Sequence, residues 1–224
     1  MCGITGIYGM SDDSAKTTIR LMNNAISHRG PDDEGYYIDE KVALGHRRLA
    51  IIDLSPAGHQ PMQSNDGNLE IAFNGEIYNF QEVKKHLSGY EFKSNSDTEV
   101  ILAAFRQWGK DCLKHFNGMF AFAIWDKAKQ ELFIARDRLG IKPVYYFRQD
   151  RTVLFSSEIR SLLQSEIVPR KINRKVVHEY FTYQTIHAPE TFINNVFMLM
   201  PGHCMTINAS GINIERYWHI VENT

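Results

Sequence analysis

Cysteine is scarce in this 224-residue chain, which carries only Cys2, Cys112 and Cys204. Their wide spacing rules out a CxxC metal or redox motif, and an odd number does not make a disulfide framework. An excess of one charge is missing as well. With 25 basic and 26 acidic residues and a net charge of −1, there is no basic face to hold nucleic acid or an anionic membrane. Long apolar runs are also lacking: nothing approaches the roughly 18 residues of a membrane span, and no basic start leads into an apolar signal segment. The nine histidines show neither HxxxH nor HExxH spacing, and no GxSxG elbow occurs. The expectation is a soluble, cytoplasmic chain with no metal, no nucleic-acid partner and no membrane partner.

What remains is core material. At 43% hydrophobic and 12% aromatic residues, the chain can build one large domain or two small ones. Ile4 to Tyr8, between Gly3 and Gly9, read as a first strand with Cys2 at its leading end. Residues 14–27 carry Ile19, Met22 and Ile26 at helical spacing, and His28-Arg29-Gly30-Pro31 stops them. Strand-like stretches follow at 34–38, 42–52 and 69–74.

Asn79 with Glu82, and Ser96 with Glu99, read as capping boxes opening two helices. Met119 to Trp125 is an unbroken apolar run, followed by a second strand over 131–136. A strand facing water on one side would alternate, so both faces of this run must be covered. Short hairpin connections favour antiparallel pairing, and a sheet with a second sheet on one face and helices on the other meets that need. Doubling the arrangement predicts an α+β fold, a four-layer αββα sandwich of two antiparallel sheets, with an α+β domain built on a single sheet as the alternative. Further strands are expected over 143–147, 152–156 and 203–218, and helices over 158–163 and 173–183.

The chemistry gathers at strand ends. Cysteine in second place is small enough to permit removal of the initiator methionine, which leaves a thiol and a free α-amine on one carbon. An N-terminal amine can act as the base for such a nucleophile, directly or through one water. Its reference pKa of about 7.7–8.0 suits work near neutral pH. A tetrahedral oxyanion needs donors fixed in advance, and the Asn74 side chain with the Gly75 backbone N–H can supply two, although Asn-Gly is also a common turn dipeptide. An amino-acid substrate presents an α-carboxylate and an α-ammonium. Arg48 offers a guanidinium fork for the first, and Asp97 with Glu76 offers anions for the second. Asp97, at the first turn of a capped helix, is expected to stay ionised in the helix dipole, and it also stabilises that helix end. Cys112 and Cys204 lack activating neighbours in sequence and are expected to be inert.

The stretches MCGITG, SHRGPDDEG, GHRRLAIIDL, FNGEIYN, SDTEV, FNGMFAFAIWD, ARDRLGIKPVYY and SSEIRSLL, in this order, resemble the class II, N-terminal-nucleophile glutamine amidotransferases, and among them the glutaminase half of glutamine-hydrolysing asparagine synthetase. The resemblance runs from Cys2 to about Trp218. It implies an N-terminal nucleophile hydrolase fold, with a glutaminase domain over residues 2–215 and a linker starting at 216–224. Cys2 is implied as nucleophile, with Asn74 and Gly75 at the oxyanion. Arg48, Glu76 and Asp97 would hold glutamine, the backbone of Arg48, Leu49, Ala50, Ile51 and Ile52 would line its pocket, and Arg29 would support it from behind.

The complete enzymes pass ammonia to a second domain in which ATP, with Mg, activates aspartate. That half begins with an SGGxDS motif which does not occur here, so ATP binding is not expected of these residues and no cofactor is expected in this chain. Glutamine is the implied substrate, a C-terminal synthetase domain the implied partner, and a homodimer is left open. The GIKPVYY, SSEIRSLL, LMPGH and RYW segments fit asparagine synthetase better than other amidotransferases. The glutaminase of another amidotransferase and a non-catalytic regulatory relative are the alternatives.

Overall fold

In a computed structural model of the chain, described at all residues except 11, 51–55 and 222–224, the apolar stretches form two packed antiparallel sheets. In chain order the strands are β1 Gly3–Tyr8, β2 Asp33–Ile38, β3 Val42–Arg48, β4 Met62–Gln63, β5 Leu69–Ile77, β6 Gly118–Asp126, β7 Glu131–Arg136, β8 Tyr145–Gln149, β9 Thr152–Ser156, β10 Val196–Met198, β11 His203–Asn208 and β12 Gly211–Arg216. The helices are α1 Asp12–Asn24, α2 Phe80–Lys85, α3 Asp97–Trp108, α4 Ile159–Gln164 and α5 Arg174–Tyr183. One sheet runs β10-β8-β9-β1-β3-β2 and the other β12-β11-β7-β6-β5-β4.

Period-two alternation explains the layers. Along β6, Ala121, Ala123 and Trp125 point into the seam between the sheets, where they meet Ile4, Leu44, Phe155 and Met205. Phe120, Phe122 and Ile124 point the other way, onto Ile101, Leu102 and Phe105 of α3. The first sheet turns Ile7, Ala43 and Leu154 outward against Ile19 and Met22 of α1 and Leu162 of α4. The result is the expected order of helix, sheet, sheet, helix. Fully burying one such side chain is worth about 1.5–3 kcal/mol, so the three clusters carry the fold.

Two local expectations meet different outcomes. Ser96 caps α3 as predicted, its Oγ accepting from Thr98 N at 3.1 Å. Glu99 does not close the box; its carboxylate accepts from the Lys93 and Ser94 amides and fastens the preceding loop. Asn79 makes no side-chain cap on α2. Its amide donates to His115 O at 2.9 Å and accepts from Asn117 N at 2.9 Å, so a tertiary tie between segments takes the groups a cap would have used. The short strands β4 and β10 were not legible in the sequence pattern. At the far end the chain stays fastened through Trp218, because Tyr217 N and Trp218 N both donate to Gly202 O.

Candidate active site

The inter-sheet seam opens at one end into a cleft of about 300 Å³, lined among others by Cys2, Arg48, Leu49, Asn74, Gly75, Glu76 and Asp97. Cys2 stands one residue before β1 and shares the parity of the seam-facing Ile4, which turns its side chain into the gap between sheets. The Leu49 amide donates to Cys2 Sγ at 3.3 Å, and the thiol lies 3.5 Å from Leu49 O. Behind it, Arg29 Nε donates to Cys2 O at 2.9 Å while Arg29 Nη1 pairs with Glu158 at 3.0 Å. A Cβ on Gly3 would stand 2.7 Å from Ile26 Cδ1 and 3.2 Å from Arg29 Cδ, so glycine there lets the guanidinium stem pass beneath the strand.

The opposing wall comes from β5. Asn74 has the parity of the seam-facing Ala72 and is 1% exposed, and its Nδ2 has no hydrogen-bond partner among the described residues. Leaving a buried amide donor unpaired costs about 1–3 kcal/mol, so the fold retains a donor aimed at nothing of its own. Gly75 is required by packing against its own sheet rather than by a turn: a Cβ would lie 2.3 Å from Met119 O and 2.7 Å from Phe120 Cα on β6. The Asn-Gly pair therefore sits inside a strand.

Asp97 occupies the first position of α3, 4% exposed, and its Oδ2 accepts from Ile77 N at 3.0 Å. Burial outweighs the amide bonds to Ile77 and Thr98 and raises its carboxyl to about 6, with nearby Glu76 pushing the same way. The helix dipole is thus not the dominant influence, and Asp97 is ionised at pH 7 against an opposing environment. An arriving ammonium would relieve that cost. Arg48, 9% exposed, closes β3 at the cleft. Ala50 is not among the cleft-lining residues; its amide donates to Asp32 Oδ2 at 2.9 Å. Ile51 and Ile52 lie outside the described residues.

Several lining residues were missed: Gln60, Ser96, Thr98, Met119, Ile141 and Lys142. Nothing in the sequence signalled the burial of Gln60, a polar residue in a connection between Gly58 and Pro61. Lys142 is 4% exposed, with Nζ 3.1 Å from Met1 Sδ. Its pKa is lowered, first by burial and then by Arg29, while Cys2, Asp137 and Glu76 oppose the shift. Elsewhere, burial raises Cys112 strongly and Cys204 to about 11, which leaves both thiols protonated. Among the described residues no group of three or more His, Cys, Asp or Glu side chains is arranged to hold a metal.

Two antiparallel sheets sandwiched by helices, with a cysteine next to the chain start at the mouth of their seam, define an N-terminal nucleophile hydrolase fold. The chain belongs to the glutamine amidotransferase domain family, whose sequence profile matches residues 1–218. It is 38% identical to asparagine synthetase [glutamine-hydrolyzing] 3 of Bacillus subtilis, over 98% of this chain and 37% of the relative. Asparagine synthetase [glutamine-hydrolyzing] 2 of the same organism is 43% identical over 94% of this chain and 29% of the relative. The chain thus spans less than half the length of these curated relatives. Among solved structures, the glutamine phosphoribosylpyrophosphate amidotransferase of B. subtilis superposes with a TM-score of 0.73 at 21% identity, covering 97% of this chain and 49% of that one, and so shares the fold.

Proposed function

We propose that this domain hydrolyses glutamine to glutamate and ammonia with Cys2 as nucleophile. The observation that carries the reading is the buried, unpartnered Asn74 Nδ2 facing the cleft that holds the Cys2 thiol. Cysteine in second place permits removal of Met1, which converts the Cys2 backbone nitrogen from a peptide amide into a basic amine. That amine takes the thiol proton, and the sulfur attacks the side-chain amide carbon of glutamine. Negative charge moves onto the carbonyl oxygen, toward Asn74 Nδ2 and Gly75 N–H. The amine then returns its proton to the leaving nitrogen, ammonia departs, and water cleaves the γ-glutamyl thioester to glutamate and free thiol. Arg48 takes the substrate carboxylate, Asp97 and Glu76 the ammonium, and Leu49 holds the sulfur rotamer.

Similarity to glutamine-hydrolysing asparagine synthetases supports a second step beyond these residues: the ammonia serves an ATP-dependent conversion of aspartate to asparagine in a further domain joined near residues 216–224. ATP and Mg belong to that domain. The reading places the domain in the cytoplasm, where thiols are kept reduced. No described helix is long and apolar enough to cross a membrane.

Two measurements test the reading. Intact mass should show Met1 absent, and Cys2→Ala should abolish glutamate release while glutamine still binds; undiminished hydrolysis in that variant overturns it. For the acceptor, the full-length protein given amide-labelled glutamine, aspartate and ATP should place the label in asparagine. Label released only as free ammonia rejects that step and leaves the glutaminase reading intact.

A further inference from the structure

On the outer edge of β5, backbone groups that point away from β6 recur at every second residue. Ile71 meets β4, which pairs only Met62 with Ile71 and Gln63 with Glu70 before it ends. From Phe73 onward no strand covers the edge among the described residues, and side chains take over. Gln60 Oε1 accepts from Phe73 N at 2.7 Å, and His46 Nε2 donates to Phe73 O at 2.9 Å. Ile77 N donates to Asp97 Oδ2 at 3.0 Å. Gly75 has the same parity, lies between these two tied positions and lines the cleft, so its N–H is the one left toward the substrate.

Gln60 has a second tie. Its Nε2 donates to Thr98 Oγ1 at 3.3 Å, one residue from Asp97, and the side chain is 6% exposed. One amide thereby bridges the strand that carries the oxyanion donors and the helix turn that carries the ammonium-binding carboxylate. We infer that Gln60 is a positioning residue that sets the distance between these two halves of the site, acting through Phe73 and Thr98. The inference rests on the glutaminase reading and deepens it. A substrate held at both its α-ammonium and its side-chain carbonyl senses any change in that span, and misplacement by about 1 Å can cost about 100-fold in rate.

The test is Gln60→Met, similar in length and without hydrogen-bonding ends. The expected result is a fall in kcat of about 100-fold, which shrinks to a few-fold in an Asn74→Ala background because the corner it aligns is already lost. Equal factors in both backgrounds mark a merely structural role and overturn the proposal, as does an unchanged kcat. Thr98→Val cuts only the helix end of the bridge and should raise KM for glutamine more than it lowers kcat; it decides the matter if Gln60→Met fails to fold, and an unchanged KM counts against the bridge. Hydrogen exchange at the Phe73 amide should accelerate in Gln60→Met whether or not the chain turns over glutamine. Faster exchange in a chain without turnover therefore faults the functional reading and not the bridge, whereas unchanged exchange faults the bridge itself.

Discussion

The seam between the sheets has two ends that share the same strands and treat polar groups in opposite ways. At the end away from the cleft, Trp125, fully buried, donates from Nε1 to Asp39 Oδ2 at 2.7 Å, and Tyr37 donates to the same oxygen at 3.0 Å. Asp39 Oδ1 takes the amides of Lys41 and Val42, and Tyr8 packs edge-on against the indole. The Trp125 and Tyr37 donors there both reach the Asp39 carboxylate. At the cleft end, Asn74 Nδ2 has none, and Asp97 is held ionised against burial. Satisfied groups make a plug, and unsatisfied ones make a site that a ligand can complete.

Substitutions can break that contrast. The largest expected effect is on stability: Trp125→Ala should cost about 3–5 kcal/mol in chemical denaturation and leave kcat per folded molecule near that of the unaltered chain. Asn74→Ala should do the reverse, lowering kcat by about 10²–10³ in steady-state glutamate release, with melting unchanged or improved because an unpaired buried donor is gone. Comparable losses of both quantities in both variants would erase the distinction between the two ends.

Smaller effects sharpen it. Asp97→Asn should raise KM for glutamine by about 10–100-fold, in line with the 1.5–3 kcal/mol typical of a hydrogen bond to a charged group, while stabilising the fold. An acid lifted from 3.8 to about 6 keeps its proton in the native state after the unfolded chain has lost it. Stability therefore falls as pH rises through that window, by up to about 3 kcal/mol, and a neutral side chain removes the loss. The same titration predicts that glutamine KM climbs as pH drops below about 6, read from a pH–KM profile of the unaltered chain. His46 contributes with the opposite sign. Burial lowers its pKa to about 4, against the Phe73 carbonyl bond, so its share of stability declines as pH falls from the ordinary histidine value near 6.5 toward 4. Acid unfolding curves with and without His46→Gln measure it.

Much of the fold was readable because burial on two faces leaves a plain mark. The run from Met119 to Trp125 could only be a strand covered on both sides, and β6 is that strand. The cleft residues named from sequence, apart from Ile51 and Ile52 outside the described residues and Ala50 turned to Asp32, come together because strand parity brings Cys2 and Asn74 to one seam. Gln60 and Lys142 were not readable. A polar residue in a connection has no periodicity to report its burial, and only the three-dimensional path shows that its amide stands in for a missing strand. Asn79 failed in another way: the capping rule predicted a helix cap, and a tertiary tie took its amide; Asp97 is ionised at pH 7 as expected, but against burial that the dipole rule did not foresee.

Beyond Ile71 the two-residue β4 leaves part of β5 uncovered, and an uncovered strand edge ordinarily invites a foreign strand to join it. Here Gln60, His46 and Asp97 occupy the flanking backbone groups with side chains, leaving too short a vacancy for an intruding polypeptide. Between the tied Phe73 and Ile77 only the Gly75 backbone is left, and one residue is no ladder of amides, so the ties that leave this rim open to the cleft also guard it against aggregation.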